Sequence, residues 1–240
     1  IVVLGPTASG KTALSLKIAK KIKGEIISTD SRQLYKGMKI ATDALSLKDR
    51  QNIPHHLMAI TTPDKPITLS QYKDLALQKI QEIRARKHIP MLVGGTGLYI
   101  SAIVENYDMP RIAPNEVLRK KLEAQAKKNG SQYLYKKLQK LDPKSAKAIH
   151  PNNIRYIIRA LEINLTTGQK KSFKKQKSPF DVFMIGIAWP RAELYERINQ
   201  RVDLQIKKGL VKEVKKLLKK GYKENLPAMS SLGIKEIIPY

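Results

Sequence analysis

Eight residues near the start of the chain have the types and spacing of a phosphate-binding loop. The sequence GPTASGKT at 5–12 fits the pattern G-x-x-x-x-G-K-[ST] and lies between an apolar run and a helical pattern. Glycines let backbone N–H groups turn toward phosphate oxygens, and the helix that follows adds positive potential. We expect Lys11 to neutralise the outer phosphate and the Thr12 hydroxyl to bind Mg²⁺. The motif predicts a diphosphate or triphosphate ligand, without specifying a nucleotide.

An acidic residue follows the next predicted strand. Enzymes that transfer phosphoryl groups usually end a neighbouring strand in a carboxylate that positions Mg²⁺, whereas the apolar run at 89–93 ends in GGTG. Asp30 instead follows the strand predicted at 25–28. Because ligands bind at the carboxyl ends of strands in open α/β sheets, we expect Asp30 and Thr96 to border the phosphate loop. Asp30 could there accept a proton from a nucleophile, help to bind Mg²⁺, or only cap a turn.

Histidines and arginines are the other candidate side chains. The four histidines lack the spacing and the neighbouring carboxylates of a zinc site, so structural roles are favoured. Arg155 and Arg159 are four residues apart, which places them on one helix face that suits phosphate or base contacts, or solvent. Arg197 and Arg201 repeat this spacing after the last predicted strand, where a helix could return an arginine to the site.

The hydropathy pattern predicts the scaffold that positions these residues. Short apolar runs predict four strands, at 1–4, 25–28, 89–93 and 182–188. Helices are predicted from the phosphate loop to Gly24, over 68–87 and over 191–220. Strands that alternate with helices imply a parallel α/β sheet of the P-loop NTPase type, flanked by helices.

A basic segment interrupts this α/β pattern. Residues 110–180 contain 18 Lys and Arg against 4 Asp and Glu, a net charge of +14, and show helical patterns without a clear strand. We interpret 110–180 as a helical insertion domain, and 1–109 with 181–240 as the discontinuous core. Five lysines within 170–177 predict a mobile basic loop.

Composition limits the possible classes of protein. The chain has 240 residues, 42% of them apolar, which excludes general disorder, and no apolar run reaches the ~18–20 residues of a membrane helix. The absence of cysteine excludes disulfides and cysteine-based zinc sites and is compatible with the cytoplasm. The net charge of +26 favours a nucleic-acid partner, although a lysine-rich solvated surface would give the same number. Because the chain opens on an apolar strand without Met, we interpret it as part of a longer protein.

Nine stretches of the chain, in order, resemble the tRNA dimethylallyltransferases, also called tRNA isopentenyltransferases. They include GPTASGKT at 5–12, EIISTDSRQLYKGMKIAT at 25–42, PHHL at 54–57 and PMLVGGTGLYISA at 90–102. The others are IHPNN with IIRALEI within 149–163, LYERINQRVD with GLVKEV within 194–214, and the segment from Pro227 to Tyr240. The resemblance extends over nearly all of the chain and joins several unrelated motifs.

This resemblance implies a reaction and a set of site residues. Members of the family transfer a dimethylallyl group from dimethylallyl diphosphate to N6 of adenine 37, beside the anticodon of tRNAs that read codons beginning with U. The resemblance implies that Asp30 binds N6 as general base, that Thr7 and Arg201 stabilise the departing diphosphate, and that Thr12 binds Mg²⁺. The implied donor-binding residues are Gly5, Pro6, Thr7, Ala8, Ser9, Gly10, Lys11 and Thr12. The implied contacts to the tRNA anticodon stem-loop are Asp30, Ser31, Arg32, Gln33, Thr96, Arg119, Arg155, Tyr156, Ile157, Ile158 and Arg159.

This sequence departs from the family pattern at one helix. Three functions other than transfer to tRNA also remain open. Family members often have Gln-Arg where this chain has Arg155 and Tyr156, which leaves the individual contacts of that helix undetermined. An enzyme that prenylates free adenylate would share the site chemistry without needing the basic insertion. A P-loop kinase would need a carboxylate that GGTG does not supply, and a non-enzymatic RNA-binding ATPase would not need Asp30. We expect a cytoplasmic monomer.

Overall fold

The computed structural model describes residues 1–168 and 175–239. The chain divides into two compact units, one formed by Ile1–Asn106 with Lys177–Tyr240 and the other by Tyr107–Gln176. These boundaries lie three and four residues from those predicted for the insertion. Most of the predicted basic loop, at 170–174, lies outside the described residues.

A parallel sheet forms the centre of the larger unit. Its five strands are β1 (Val2–Leu4), β2 (Gly24–Ser28), β3 (His55–His56), β4 (Ile89–Gly94) and β5 (Met184–Gly186). Their order across the sheet is β3-β2-β4-β1-β5, and all neighbouring pairs are parallel. The predicted α/β class is therefore confirmed. β3 was not predicted, because its two residues are too few to give a hydropathy period, and β5 is shorter than the strand predicted at 182–188.

The described residues form nine α-helices. They are α1 (Lys11–Ile22), α2 (Leu69–Ala85), α3 (Gly97–Val104), α4 (Glu116–Asn129), α5 (Ser131–Leu141), α6 (Pro143–Ala148), α7 (Ile154–Thr167), α8 (Arg191–Lys207) and α9 (Leu210–Lys219). The single helix predicted over 191–220 is two helices, because Gly209 has a φ of 96° and breaks it. No helix of the described residues is long and apolar enough to cross a membrane.

Helices cover both faces of the sheet because consecutive strand residues point to opposite sides. Val3 and Met91 pack with Leu16 and Ala19 of α1. On the other face, the neighbouring residues Val2 and Leu92 pack with α2 and α3. A third cluster joins α9 to Tyr35 and Met38 in the segment after β2. This packing fixes the loops at the carboxyl ends of β1, β2 and β4.

The smaller unit is helical, and α4 to α7 form its core. Apolar side chains at helical spacing meet in it, namely Leu122, Ala126, Leu134, Leu138, Ala146, Ile149, Ile157, Ile158, Ala160 and Leu161. Side-chain caps define three of the helix starts: Asn115 accepts from the Leu118 N–H, Asp142 from Ser145 and Asn153 from Tyr156.

Candidate active site

The phosphate loop connects β1 to α1 at the carboxyl end of the sheet. Gly10 caps α1 with a φ of 92°, in the left-handed region that glycine enters without strain. The Ser9 N–H donates to Pro6 O over 3.3 Å and closes the turn. The first N–H groups of an α-helix have no partner within the helix and attract anions. The loop therefore has the geometry of a phosphate cradle.

Lys11 lies across this loop and interacts with two charged side chains from elsewhere in the chain. Its Nζ donates to Pro6 O over 2.6 Å. Burial lowers the pKa of Lys11, the Asp30 carboxylate opposes this shift, and the Arg201 guanidinium lowers the pKa further. Asp30 and Arg201 are thus both within electrostatic range of Lys11. An anion bound in the loop would stabilise the charged lysine against burial and against Arg201.

The residues around the loop fit Mg²⁺ bound together with a diphosphate. The hydroxyl of Ser9, within the loop itself, is buried without a hydrogen-bond partner and so offers a polar atom to a ligand or its water shell. Mg²⁺ usually keeps several waters and binds one or two protein oxygens plus substrate phosphates. Thr12 is exposed in the first turn of α1 and suits that role. In the described part of the chain, no group of three His, Cys, Asp or Glu side chains could hold a metal.

A hydrogen-bonded turn holds Asp30 after β2. Its Oδ1 accepts from the Arg32 N–H over 2.8 Å, which is the pattern of an Asx turn. Thr96, at the start of α3, accepts from the Ser31 N–H over 3.1 Å and donates its own N–H to Thr29 O. These contacts bring Thr96 against the residues on either side of Asp30, at the ends of the neighbouring strands β2 and β4. The turn leaves Asp30 partly exposed.

Two tyrosines lie under this turn, of which Tyr72 belongs to the helix predicted over 68–87 and Tyr99 only to the motif at 90–102. The rings of Tyr72 and Tyr99 stack with centroids 3.8 Å apart, and the Tyr72 hydroxyl donates to Ser28 O over 2.9 Å. Burial, helped by Tyr35 and Asp30, raises the pKa of Tyr99 to about 12. Burial likewise raises the pKa of Tyr72, so both hydroxyls stay protonated. The two stacked, uncharged side chains therefore pack under the end of β2, which precedes Asp30.

The structure also places the remaining predicted residues of the larger unit. Thr7 is exposed on the phosphate loop. Arg32 donates to Pro227 O, and Gln33 donates to Thr42 O over 3.2 Å. The Nη1 of Arg201 lies 3.5 Å from a carboxylate oxygen of Asp43. Arg32 and Gln33 therefore brace the segment after Asp30, a role that the motif alone did not show.

The predicted RNA contacts of the smaller unit require correction. Ile157 and Ile158 are 0% and 6% exposed in its core, so their side chains cannot contact RNA. Arg119 and Arg159 both bind the buried carboxylate of Glu162, Arg119 through Nε at 2.8 Å. Burial raises the pKa of Glu162, but these guanidiniums and the Asn115 N–H outweigh it and lower the pKa below its usual value.

Of the predicted tRNA contacts in the smaller unit, Arg155 and Tyr156 lie exposed on α7. The apolar period of α7 indicates the difference, because positions 157, 158 and 161 fall on its buried face.

Comparison with known proteins identifies the family. The family model described as IPP transferase matches residues 33–240. The chain is 44% identical to the tRNA dimethylallyltransferase of Acetivibrio thermocellus, covering all of this chain and 78% of the relative. It is 46% identical to that of a Roseiflexus species, covering all of this chain and 79% of the relative.

Solved structures agree with these relatives. The full-length tRNA isopentenylpyrophosphate transferase of Bacillus halodurans matches with a TM-score of 0.70 and 42% identity, covering 100% of this chain and 76% of that one. A eukaryotic dimethylallyltransferase acting on tRNA matches with a TM-score of 0.80 and 27% identity, covering 99% of this chain and 62% of that one. The fold at the phosphate loop is therefore shared with enzymes that prenylate tRNA.

Proposed function

Because the chain belongs to the IPP transferase family, we propose that it transfers a dimethylallyl group from dimethylallyl diphosphate to N6 of adenine 37 in tRNA. The tRNAs are those that read codons beginning with U. The observation that carries the proposal is the Asp30 carboxylate, held in a hydrogen-bonded turn beside Thr96 at a strand end of the sheet whose first strand leads into the phosphate loop. Its relatives are named for this activity.

The reaction makes one bond and breaks one. The N6 nitrogen attacks C1 of the dimethylallyl group, the C1–O bond breaks, and its electron pair leaves with the diphosphate. Asp30 accepts the proton that N6 loses. Lys11, Arg201, the Thr7 hydroxyl and the loop N–H groups stabilise the charge that develops on the leaving group. Mg²⁺, which Thr12 and the diphosphate would hold, supplies further neutralisation.

The acceptor must reach Asp30 from an anticodon loop. Enzymes that modify a base take it out of the stack, so adenine 37 would be flipped toward the turn at 30–33. Ser31 and Thr96, joined by a hydrogen bond, form one wall of that approach. The basic smaller unit supplies charge for the tRNA backbone, since phosphates dominate the affinity of such complexes. Arg155 and Tyr156 are its best-placed candidates for direct contact.

The same features argue against the other functions. An enzyme that prenylates free adenylate would share Asp30 and the loop but would have no use for the +14 of residues 110–180. A kinase would need a carboxylate where β4 leads into Gly95 and Thr96. In this proposal the protein works as a monomer in the cytoplasm, where tRNA is its substrate.

A substrate-choice assay tests the proposal. The protein and Mg²⁺ are incubated with labelled dimethylallyl diphosphate and unmodified tRNA, AMP or ATP, and the products are digested for mass spectrometry. Label on adenine 37 supports the proposal, whereas label on AMP would assign the enzyme to free adenylate. Consumption of ATP without prenyl transfer would indicate a kinase or an ATPase. The matched control is the same tRNA with guanine at position 37, which should receive no label.

A further inference from the structure

Two side chains that are distant in sequence donate hydrogen bonds to backbone carbonyls of the phosphate loop. The indole Nε1 of Trp189, just after β5, donates to Ser9 O over 2.9 Å. The Nε of Arg197, on α8, donates to Ala8 O over 2.8 Å. The Arg197 guanidinium carbon lies 4.3 Å from the centroid of the Trp189 ring, within cation–π range. The two donors thus form one unit that binds consecutive carbonyls of the loop.

Binding these carbonyls sets the direction of the N–H groups that follow them. A trans peptide is planar, and its C=O and N–H point in opposite directions. Holding Ala8 O fixes the Ser9 N–H, which donates to Pro6 O and closes the turn. Holding Ser9 O fixes the N–H of Gly10, the N-cap of α1. N–H groups at this position of a phosphate loop are the ones that face an anion. The contacts to Trp189 and Arg197 therefore determine how the cradle presents its donors.

The conformation of Ala8 indicates that the loop needs such support. Its φ of 61° lies in the left-handed region, which residues with a side chain rarely enter. Strained residues of this kind persist where surrounding contacts force the conformation. The bond from Arg197 acts on the carbonyl of this same residue. The strain and the bond that can hold it coincide at one position.

We propose that Trp189 and Arg197 are positioning residues that set the phosphate loop for binding the diphosphate of the donor. They act through the loop carbonyls, so their effect should appear in donor affinity and not in tRNA affinity. The inference rests on the proposed function for the identity of the donor. Binding of pyrophosphate itself can be measured without any transfer reaction.

The test uses variants that conserve charge, because any lost cation would weaken anion binding by itself. Trp189→Phe removes the N–H donor and keeps a ring, and Arg197→Lys keeps the charge and removes the planar stack. The control is Arg191→Lys on the same helix, whose guanidinium binds the Tyr195 hydroxyl and lies 5.1 Å from that ring. Magnesium pyrophosphate binding is measured by calorimetry. The KM values for dimethylallyl diphosphate and for tRNA are measured separately.

We expect the Kd for pyrophosphate and the donor KM to rise about 2- to 10-fold in each variant, the worth of one hydrogen bond. The tRNA KM and the control should match wild type. Unchanged pyrophosphate binding in both variants would overturn the proposal, as would equal losses for donor and tRNA. If Trp189→Phe does not fold in a thermal melt, Arg197→Lys decides alone. Failure of the proposed function would look different, because wild type would then bind pyrophosphate without prenylating tRNA.

Discussion

Replacing Glu25 by glutamine should destabilise the protein at neutral pH and lose this effect in acid. The Glu25 side chain is 2% exposed on β2, where Arg86 donates to it from Nε at 3.1 Å and from Nη2 at 2.8 Å. His56 and His88 lie 2.6 and 2.7 Å from its oxygens. The bond from Arg86, followed by those from the histidines, outweighs burial and lowers the pKa of Glu25 from 4.5 to about 2.

The size of the effect follows from this pKa. A difference of about 2.5 pKa units corresponds to about 3.4 kcal/mol at 1.36 kcal/mol per unit. Arg86 and His88 are 47% and 39% exposed, so solvent screens the interactions and we take about 2 kcal/mol. Because folding favours the charged carboxylate, this stability is present above pH 4.5 and is lost as the pH falls toward 2. For a unit of this size it corresponds to about 4–8 °C in Tm.

Thermal melts of wild type and Glu25→Gln over a series of pH values from neutral to strongly acidic give the measurement. The control is Glu82→Gln, which removes a half-exposed carboxylate bound to Lys79 on α2 and should leave Tm nearly unchanged. The two Tm curves of wild type and Glu25→Gln should converge below pH 4.5. A Tm difference that stays constant into acid would refute the assignment to the Glu25 charge. Equal Tm values at neutral pH would refute it as well.

Three further predictions concern the site. Asp30→Asn should reduce kcat by roughly 10²- to 10⁴-fold while tRNA binding persists, and a rate near wild type in single-turnover assays would remove Asp30 as the base. Lys11→Ala should raise the KM for dimethylallyl diphosphate far more than that for tRNA, whereas equal increases would show that the loop contacts RNA. Arg155→Gln should lower the slope of log K against log salt for tRNA by about 0.7–0.9 without changing Tm. Arg159→Gln should mainly lower Tm. A lowered Tm in Arg155→Gln melts, together with a lowered salt slope in Arg159→Gln filter-binding titrations, would contradict the assignment of Arg155 to tRNA and of Arg159 to the fold.

The sequence predicted those parts of the fold whose signal is local. The phosphate loop is a contiguous motif, and β1, β2 and β4 are apolar runs long enough to recognise. β3 has two residues and pairs with β2 through Ile26 and Ile27, so only tertiary contact identifies it. The break in the last helix was visible as Gly209 but was outweighed by the apolar period on both sides.

The support of the site could not be predicted in the same way. The spacing of Arg197 and Arg201 predicted that the helix after β5 could return an arginine to the site, but not that Arg197 binds a loop carbonyl. Trp189 and Arg197 contact the loop across 180 and 189 positions of sequence, and no motif indicates these bonds. Their partners are backbone carbonyls, which every residue has, so residue types reveal nothing about the pairing. Asp30 was found because a carboxylate at a strand end is a local feature with a chemical meaning. The bonds through which Trp189 and Arg197 act on the loop backbone are visible only in the folded structure.

The arginines of the smaller unit show how burial changes the meaning of a basic motif. Arg119 and Arg159 both form ion pairs with Glu162, whose side chain is 0% exposed. A tRNA phosphate that drew either guanidinium away would leave that charge buried with fewer partners, and breaking a buried pair costs roughly 3–5 kcal/mol. A surface phosphate contact contributes less free energy than this cost, so these arginines remain paired with Glu162. Arg155, exposed one turn before Arg159, has no such cost to overcome, and the salt dependence of tRNA binding should therefore follow Arg155.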